Sequence, residues 1–269
     1  MKRLLFVCLV LSLAAGSASA DYLVIMDERS VADPDEPPQE HRIYLGNGVL
    51  KFTDGDGGMM IYRAADEVMY AVETSSESYY VMDKESMTAM ASQIGAMTEQ
   101  MKAALEQLPE DQREMAAKYM AESMGSAGAA AAPTVKVEDT GKTERIDGKA
   151  CKRYDVQVGG EKENEIWVTD FKNVGMNAGD FQVFRDFAGF MGDLMASVPQ
   201  FGDATGDNAF SSMAEIDGFP VLIREFDGET VETENKLRSV EEVTVDEAEY
   251  MPPEGFTEKK MGPGAMEEE

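Results

Sequence analysis

The sequence predicts an α+β domain, an antiparallel sheet with helices laid against one face. Three observations carry this. Short apolar-alternating runs separated by Gly, Asn and Asp turns fill the stretch from His41 to Met82. The apolar period then changes to that of a helix at Lys84. After Pro133 the alternation returns, is interrupted by one more helix, and ends in a hairpin. Strands followed by helices and then strands again indicate an antiparallel sheet with segregated helices.

The first element is a targeting signal. Lys2 and Arg3 precede the apolar run Leu4 to Ala15, and Ala18-Ser19-Ala20 supplies small residues where a signal peptidase cuts. The run is shorter than the about 20 residues that span a bilayer. Residues 1–20 are therefore expected to be a cleaved signal peptide. The mature chain is expected to start at Asp21, work in the periplasm or outside the cell, and have no transmembrane segment. Cleavage removes Cys8 and leaves Cys151 without an intramolecular partner.

Tyr22 to Met26 reads as a strand, and Asp33 to Pro38 as a proline-rich loop. The runs Arg42–Leu45, Val49–Phe52, Met59–Tyr62, Val68–Val72 and Tyr79–Met82 form the predicted meander. From Lys84 to Leu108 the apolar positions Met87, Met90, Ile94, Met97, Met101 and Leu105 fall at gaps of 3 or 4, one stripe on a helix. Pro109 breaks it, and acidic residues open a second helix from Glu110 to Met124. Residues 84–124 are thus a Met-rich helical insertion, and 125–133 an Ala/Gly linker. Cys151 to Val158 and Glu165 to Val168 are further strands, Phe181 to Val198 a helix with Phe184, Phe187, Ala188, Met191, Leu194 and Met195 inward, and Phe219 to Val243 a hairpin turning at Asp227-Gly228. Either β half alone would leave a sheet face bare, so residues 21–256 are expected to form a single domain. The acidic end, 257–269, is expected to be disordered.

Charge and residue counts remove several functions. With 24 Lys+Arg against 52 Asp+Glu, the net charge of −28 repels phosphate backbones and anionic headgroups, so nucleic acid is not an expected partner. His41 is the single histidine; zinc sites of the usual kind need several His or Cys ligands. Beside Glu40 and Arg42, His41 is expected at the surface. Asp54-Gly-Asp-Gly-Gly58 begins like a calcium loop, but Gly58 and Ala65 stand where ligands are required, so a plain turn is expected. Cys151 is expected to be a structural thiol. No catalytic or cofactor motif is present.

Three ordered sets of residues carry a family resemblance: Met59-Met-Ile-Tyr62 with Val68-Met-Tyr70 and Ser78-Tyr-Tyr-Val-Met-Asp83; Ile146-Asp-Gly-Lys-Ala-Cys-Lys-Arg-Tyr154 with Glu165-Ile-Trp-Val-Thr-Asp170; and Asp217-Gly-Phe-Pro-Val221 with Tyr250-Met-Pro-Pro-Glu-Gly-Phe256. They resemble the exported bacterial proteins of domain of unknown function 4412. That family in turn resembles the lipoprotein-carrier (LolA-like) group. The resemblance implies an open antiparallel β half-barrel with helices packed on its concave face, and it implies no catalytic residues.

Twenty methionines are the remaining oddity. Met suits both irregular cores and surfaces that accept varied apolar partners. Thioethers also suit copper(I), but the gaps fit a packing stripe equally well. The leading expectation is a non-enzymatic periplasmic binding or carrier protein for a lipid-like or lipoprotein ligand. Met87, Met90, Ile94, Met97 and Met101 would line the site with Tyr70, Tyr80, Trp167 and Phe187. An envelope protein–protein interaction module without a small ligand is the alternative, and a hydrolase the third.

Overall fold

The computed structural model describes residues 21–106, 134–197 and 216–260, apart from 47 and 56, together with 109 and 113. Twelve strands hydrogen-bond into one sheet: β1 (Asp21–Ser30), β2 (Gln39–Gly46), β3 (Val49–Thr53), β4 (Gly58–Arg63), β5 (Val68–Glu73), β6 (Ser78–Met82), β7 (Val135–Ile146), β8 (Lys149–Val158), β9 (Glu161–Thr169), β10 (Phe219–Asp227), β11 (Thr230–Val243) and β12 (Thr257–Lys259). Helix α1 (Lys84–Glu106) follows β6, and α2 (Gln182–Ser197) lies between β9 and β10. The spatial order is β12-β6-β5-β4-β3-β2-β1-β11-β10-β9-β8-β7, so the sheet is open, with β12 and β7 at its edges. All pairs are antiparallel except β12 with β6. The architecture is α+β.

Two meanders make up the sheet, and β1 joins them by pairing with β2 on one side and β11 on the other. Local chemistry sets the turns. Asp147 and Gly148 both have positive φ (47° and 79°), the type I′ geometry that matches strand twist in a two-residue hairpin. The β10–β11 turn falls on Gly228-Glu229, one residue later than the Asp227-Gly228 expected, because Asp227 still pairs with Thr230. In the Asp54 loop the carboxylate accepts the Gly58 N–H at 2.8 Å, so the turn itself uses the first would-be calcium ligand.

Strand alternation divides the sheet into two faces. Tyr22, Val24 and Met26 of β1 share the inner face with Leu45, Leu50, Tyr62 and Met69, all buried. Helix α2 lies on this face. Its aromatic residues recur at helical spacing, and Phe187 meets Tyr62 with ring centroids 5.4 Å apart. Phe181, just before the helix, packs on Phe171 and Phe219. Phe184, Phe187 and Ala188 are buried as expected; the side chains of Leu194 and Met195 lie outside the described residues. Asp83 and Ser86 cap α1 reciprocally: the Ser86 N–H donates to Asp83 Oδ1 at 2.7 Å and the Asp83 N–H to Ser86 Oγ at 2.9 Å.

The chain after β11 crosses the opposite face. Lys51 Nζ donates to the Glu249 carbonyl at 3.0 Å, and Met251, Pro252 and Phe256 come against Tyr70, Tyr79 and Val81. The strap ends in β12, which adds to the β6 edge through Thr257 N–H to the Glu77 carbonyl, 2.9 Å. Thr257–Lys259 is therefore ordered, in contrast to the disordered tail that its composition predicts: a free β6 edge offers unpaired backbone groups that this segment satisfies. Residues 1–20, most of the expected second helix 110–124, the linker 125–133 and residues 261–269 lie outside the described residues.

Gly218 marks the tightest backbone approach. At φ +143°, a Cβ there would stand 2.8 Å from the Thr169 carbonyl oxygen, where β10 leaves the core to pair with β9. Gly218→Ala is expected to cost about 2–4 kcal/mol through strain and overpacking. Chemical denaturation checks this; a change below about 1 kcal/mol would show that the strand ends shift without cost.

Candidate functional site

The inner face does not close on α2 along its whole length. Where β1, β2 and β10 pass the start of the helix, the side chains leave a cavity of about 220 Å³. Its wall is apolar: Val24, Met26, Leu45, Phe181, Phe184 and Phe219 are buried, and Ile43, Phe52 and Ile223 are partly buried. The alternation that buries Tyr22, Val24 and Met26 carries on to Glu28, and that of β2 places His41 two residues before Ile43. One end of the cavity is therefore polar. Glu28, His41, Glu225 and Asn235 line it there, because Glu28 pairs with Asn235, Met26 with His41, and Glu225 lies two residues beyond the partner of Asn235.

His41 is not the surface residue expected from its charged neighbours. Its side chain is only 13 % exposed, since strand parity turns Glu40 and Arg42 to the other face. The ring stacks on Phe52 at 5.5 Å and Nε2 lies 3.1 Å from Glu28 Oε2. Nδ1 is buried and has no hydrogen-bond partner among the described residues. The same holds for the amide oxygen of Asn164, which sits beside Glu225 in the β9–β10 register. No lysine or arginine lines the cavity among the described residues.

Among the described residues, none of the nine predicted site residues lines this cavity. Met87 and Met90 are buried, but against Phe190 and Met191 of α2, so this part of the stripe holds the two helices together. Met87 also borders a second, more charged cleft of about 750 Å³ with Lys84, Arg185, Asp186 and Asp193. The side chains of Ile94, Met97 and Met101 lie outside the described residues. Phe187 is buried beneath α2 beside the cavity. Tyr80 shares the inner face near the β6 edge, where Lys259 Nζ lies 5.5 Å from its ring. Tyr70 and Trp167 belong to the opposite face.

Trp167 is held by a polar cluster that no local sequence signal announces. Its indole N–H donates to Glu165 Oε1 at 2.8 Å. The same carboxylate lies 3.0 Å from each of Arg153, Lys162 and Arg224. Burial opposes ionisation of Glu165, yet the Trp167 and Lys162 hydrogen bonds and the Lys162 and Arg153 charges outweigh it and hold its pKa low. Cys151 is buried, which pushes its thiol pKa up; Sγ–H donates to the Lys149 carbonyl at 3.3 Å.

Three solved structures align with most of the chain at low similarity. An uncharacterized conserved protein from Thermus thermophilus superposes with a TM-score of 0.43 at 8 % identity, over 90 % of each chain. PNGF-II gives 0.40 at 9 % identity, over 90 % of this chain and 31 % of the other. A LolA superfamily protein from Nitrosomonas europaea gives 0.27 at 6 % identity, over 88 % of this chain and 91 % of the other. At these scores none bears on function. Among curated proteins, none matches the sequence. The sequence model of a family described as a domain of unknown function, DUF4412, matches residues 67–256, well over half of the chain, and the protein belongs to that family.

Proposed function

We propose that the protein is a non-catalytic binding or carrier protein of the periplasm that holds an apolar, lipid-like group between the inner sheet face and α2. The observation that supports this is the cavity itself: buried apolar walls, one polar end, and a helix for a roof. In this reading the sheet is a half-barrel and α2 lies in its concavity. The volume of about 220 Å³ is below the roughly 300–1,000 Å³ of ordinary small-molecule sites, so it suits one alkyl chain rather than a multiply acylated lipid. Two features weigh against the other readings. The large apolar side chains exposed among the described residues, Val31 and Met251, are scattered and form no docking patch. Neither a serine nor a cysteine lines the cavity among the described residues to act as a nucleophile. No described helix is long and apolar enough to cross a membrane.

The test is uptake of an uncharged apolar fluorophore, N-phenyl-1-naphthylamine, displaced by 1-octanol. The protein is expected to enhance its emission at a stoichiometry of one. Ile223→Trp fills the cavity from its partly buried wall and is expected to weaken uptake at least tenfold with an unchanged circular dichroism spectrum. Absence of uptake by the unsubstituted protein, or equal uptake by the variant, rejects the reading.

A further inference from the structure

The polar end of the cavity has a chemical sign. A carboxylate only accepts, so with Glu28 Oε2 at 3.1 Å the donor is Nε2, which leaves the buried, unpartnered Nδ1 as the acceptor. Glu28 and Glu225 are acceptors, and Glu225 already takes the Thr233 hydroxyl at 2.8 Å. Besides the His41 Nε2–H that Glu28 takes, the side-chain donor in the described polar lining is the Asn235 amide. A buried polar atom without a partner is costly, so the ligand that completes this end must bring hydrogen-bond donors. A carboxylate or phosphate head brings acceptors and negative charge toward two carboxylates, with no lysine or arginine among the described lining to receive it.

We propose that the cavity selects an apolar molecule ending in a protonated amine, with its alkyl part against Val24, Met26 and Phe184 and its ammonium at the Glu28–His41 pair. This rests on the binding-protein reading above and names the ligand class for the same site. An ammonium carries three donors and no acceptor, the complement of the atoms that end the cavity. Glu225, across β11 from Glu28, adds a second negative charge at the mouth. The net charge of −28 raises the local concentration of cations but does not by itself choose an alkylated one.

The experiment is calorimetric titration of the full chain with octylammonium, 1-octanol and octanoate at neutral pH and physiological salt, with ethylammonium as a competitor. Octylammonium is expected to bind at least tenfold more tightly than 1-octanol, and octanoate more weakly than either. Glu28→Gln is expected to reduce octylammonium affinity at least tenfold, to within threefold of the same variant's affinity for 1-octanol. Glu225→Gln, farther from the head, is expected to cause a smaller loss and serves if Glu28→Gln does not fold. Equal affinities for octylammonium and 1-octanol overturn the amine preference and leave the binding reading intact. Octanoate binding more tightly than octylammonium does the same. Displacement of octylammonium by equimolar ethylammonium reduces the effect to surface charge and also overturns it. If neither octylammonium nor 1-octanol binds, the binding reading itself fails.

Discussion

Replacement of Glu165 by alanine is expected to destabilise the protein by about 3 kcal/mol. The carboxylate is 6 % exposed and faces Arg153, Lys162 and Arg224 on the outer sheet face, with the Trp167 indole N–H as a further donor. Removing the one acceptor at the centre leaves three cations facing each other and a buried N–H unpaired. Breaking a buried pair from one side costs about 3–5 kcal/mol. The lower end applies here because Arg224 and Lys162 remain 36 % and 25 % exposed and recover some hydration. Arg153 and Arg224 keep second partners in Asp155 and Glu234, so the cluster loosens without dispersing. Glu165→Gln retains the indole acceptor and loses only the charge, so about half of the loss is expected.

The same cluster fixes the direction of acid sensitivity. The Glu165 pKa in the folded protein is lower than the 4.5 of an ordinary glutamate. A depressed carboxylate pKa stabilises the fold fully above the unfolded value. That contribution is lost as pH falls below 4.5 toward the folded value. Denaturation of Glu165→Ala and the unsubstituted protein at neutral pH and at successively lower pH should show curves that converge as acidity increases. A constant difference down to the acid transition would show that packing against Trp167, and not charge, sets the stability.

The sequence and the fold agree where local chemistry decides and part where register decides. Alternation locates most strands of both meanders, and the Asp147-Gly148 turn is legible from residue type. The α1 stripe places Met87 and Met90 on the buried side of a helix. Periodicity cannot say what that side faces, and Met87 and Met90 face α2. Trp167 reads as a ligand contact from the sequence as one of four aromatic candidates, with Tyr70, Tyr80 and Phe187. Its parity with Glu165 places it in an ion cluster that β8 and β10 complete from Arg153 and Arg224. The cavity is the least legible feature. Its polar end gathers positions 28, 41, 225 and 235, joined by the pairing of β1 with β11 from the far end of the chain. One signal is available: Glu28 and His41 continue the inward alternation of their strands, where an ionisable side chain needs a reason. The family match starts at residue 67, so Glu28 and His41 lie outside the matched span.

Phe187 tests the division between core and site most directly. The sequence places it against a ligand, yet it is 2 % exposed, with its ring 5.4 Å from Tyr62 and 6.5 Å from Phe184. Truncation to alanine removes one of the two α2 rings that pack on Tyr62 of β4, the other being Phe190 at 5.1 Å, and leaves a void that the rigid sheet cannot collapse to fill. A buried Phe→Ala change costs about 3–5 kcal/mol. For a domain of this size each kcal/mol lowers Tm by about 2–4 °C, so a fall on the order of 10 °C is expected. Burial also holds the Tyr62 hydroxyl pKa up at about 12. Opening the layer should bring that value back toward 10, which an ultraviolet pH titration of tyrosinate reads separately from stability. If Phe187 instead contacts ligand and contributes little to the core, Phe187→Ala should leave Tm within a few degrees and abolish fluorophore uptake. The packing of α2 against Tyr62 argues for the first outcome, with the helix held at Phe187 and the apolar cavity for a guest at its start, between Phe184 and the Glu28–His41 pair.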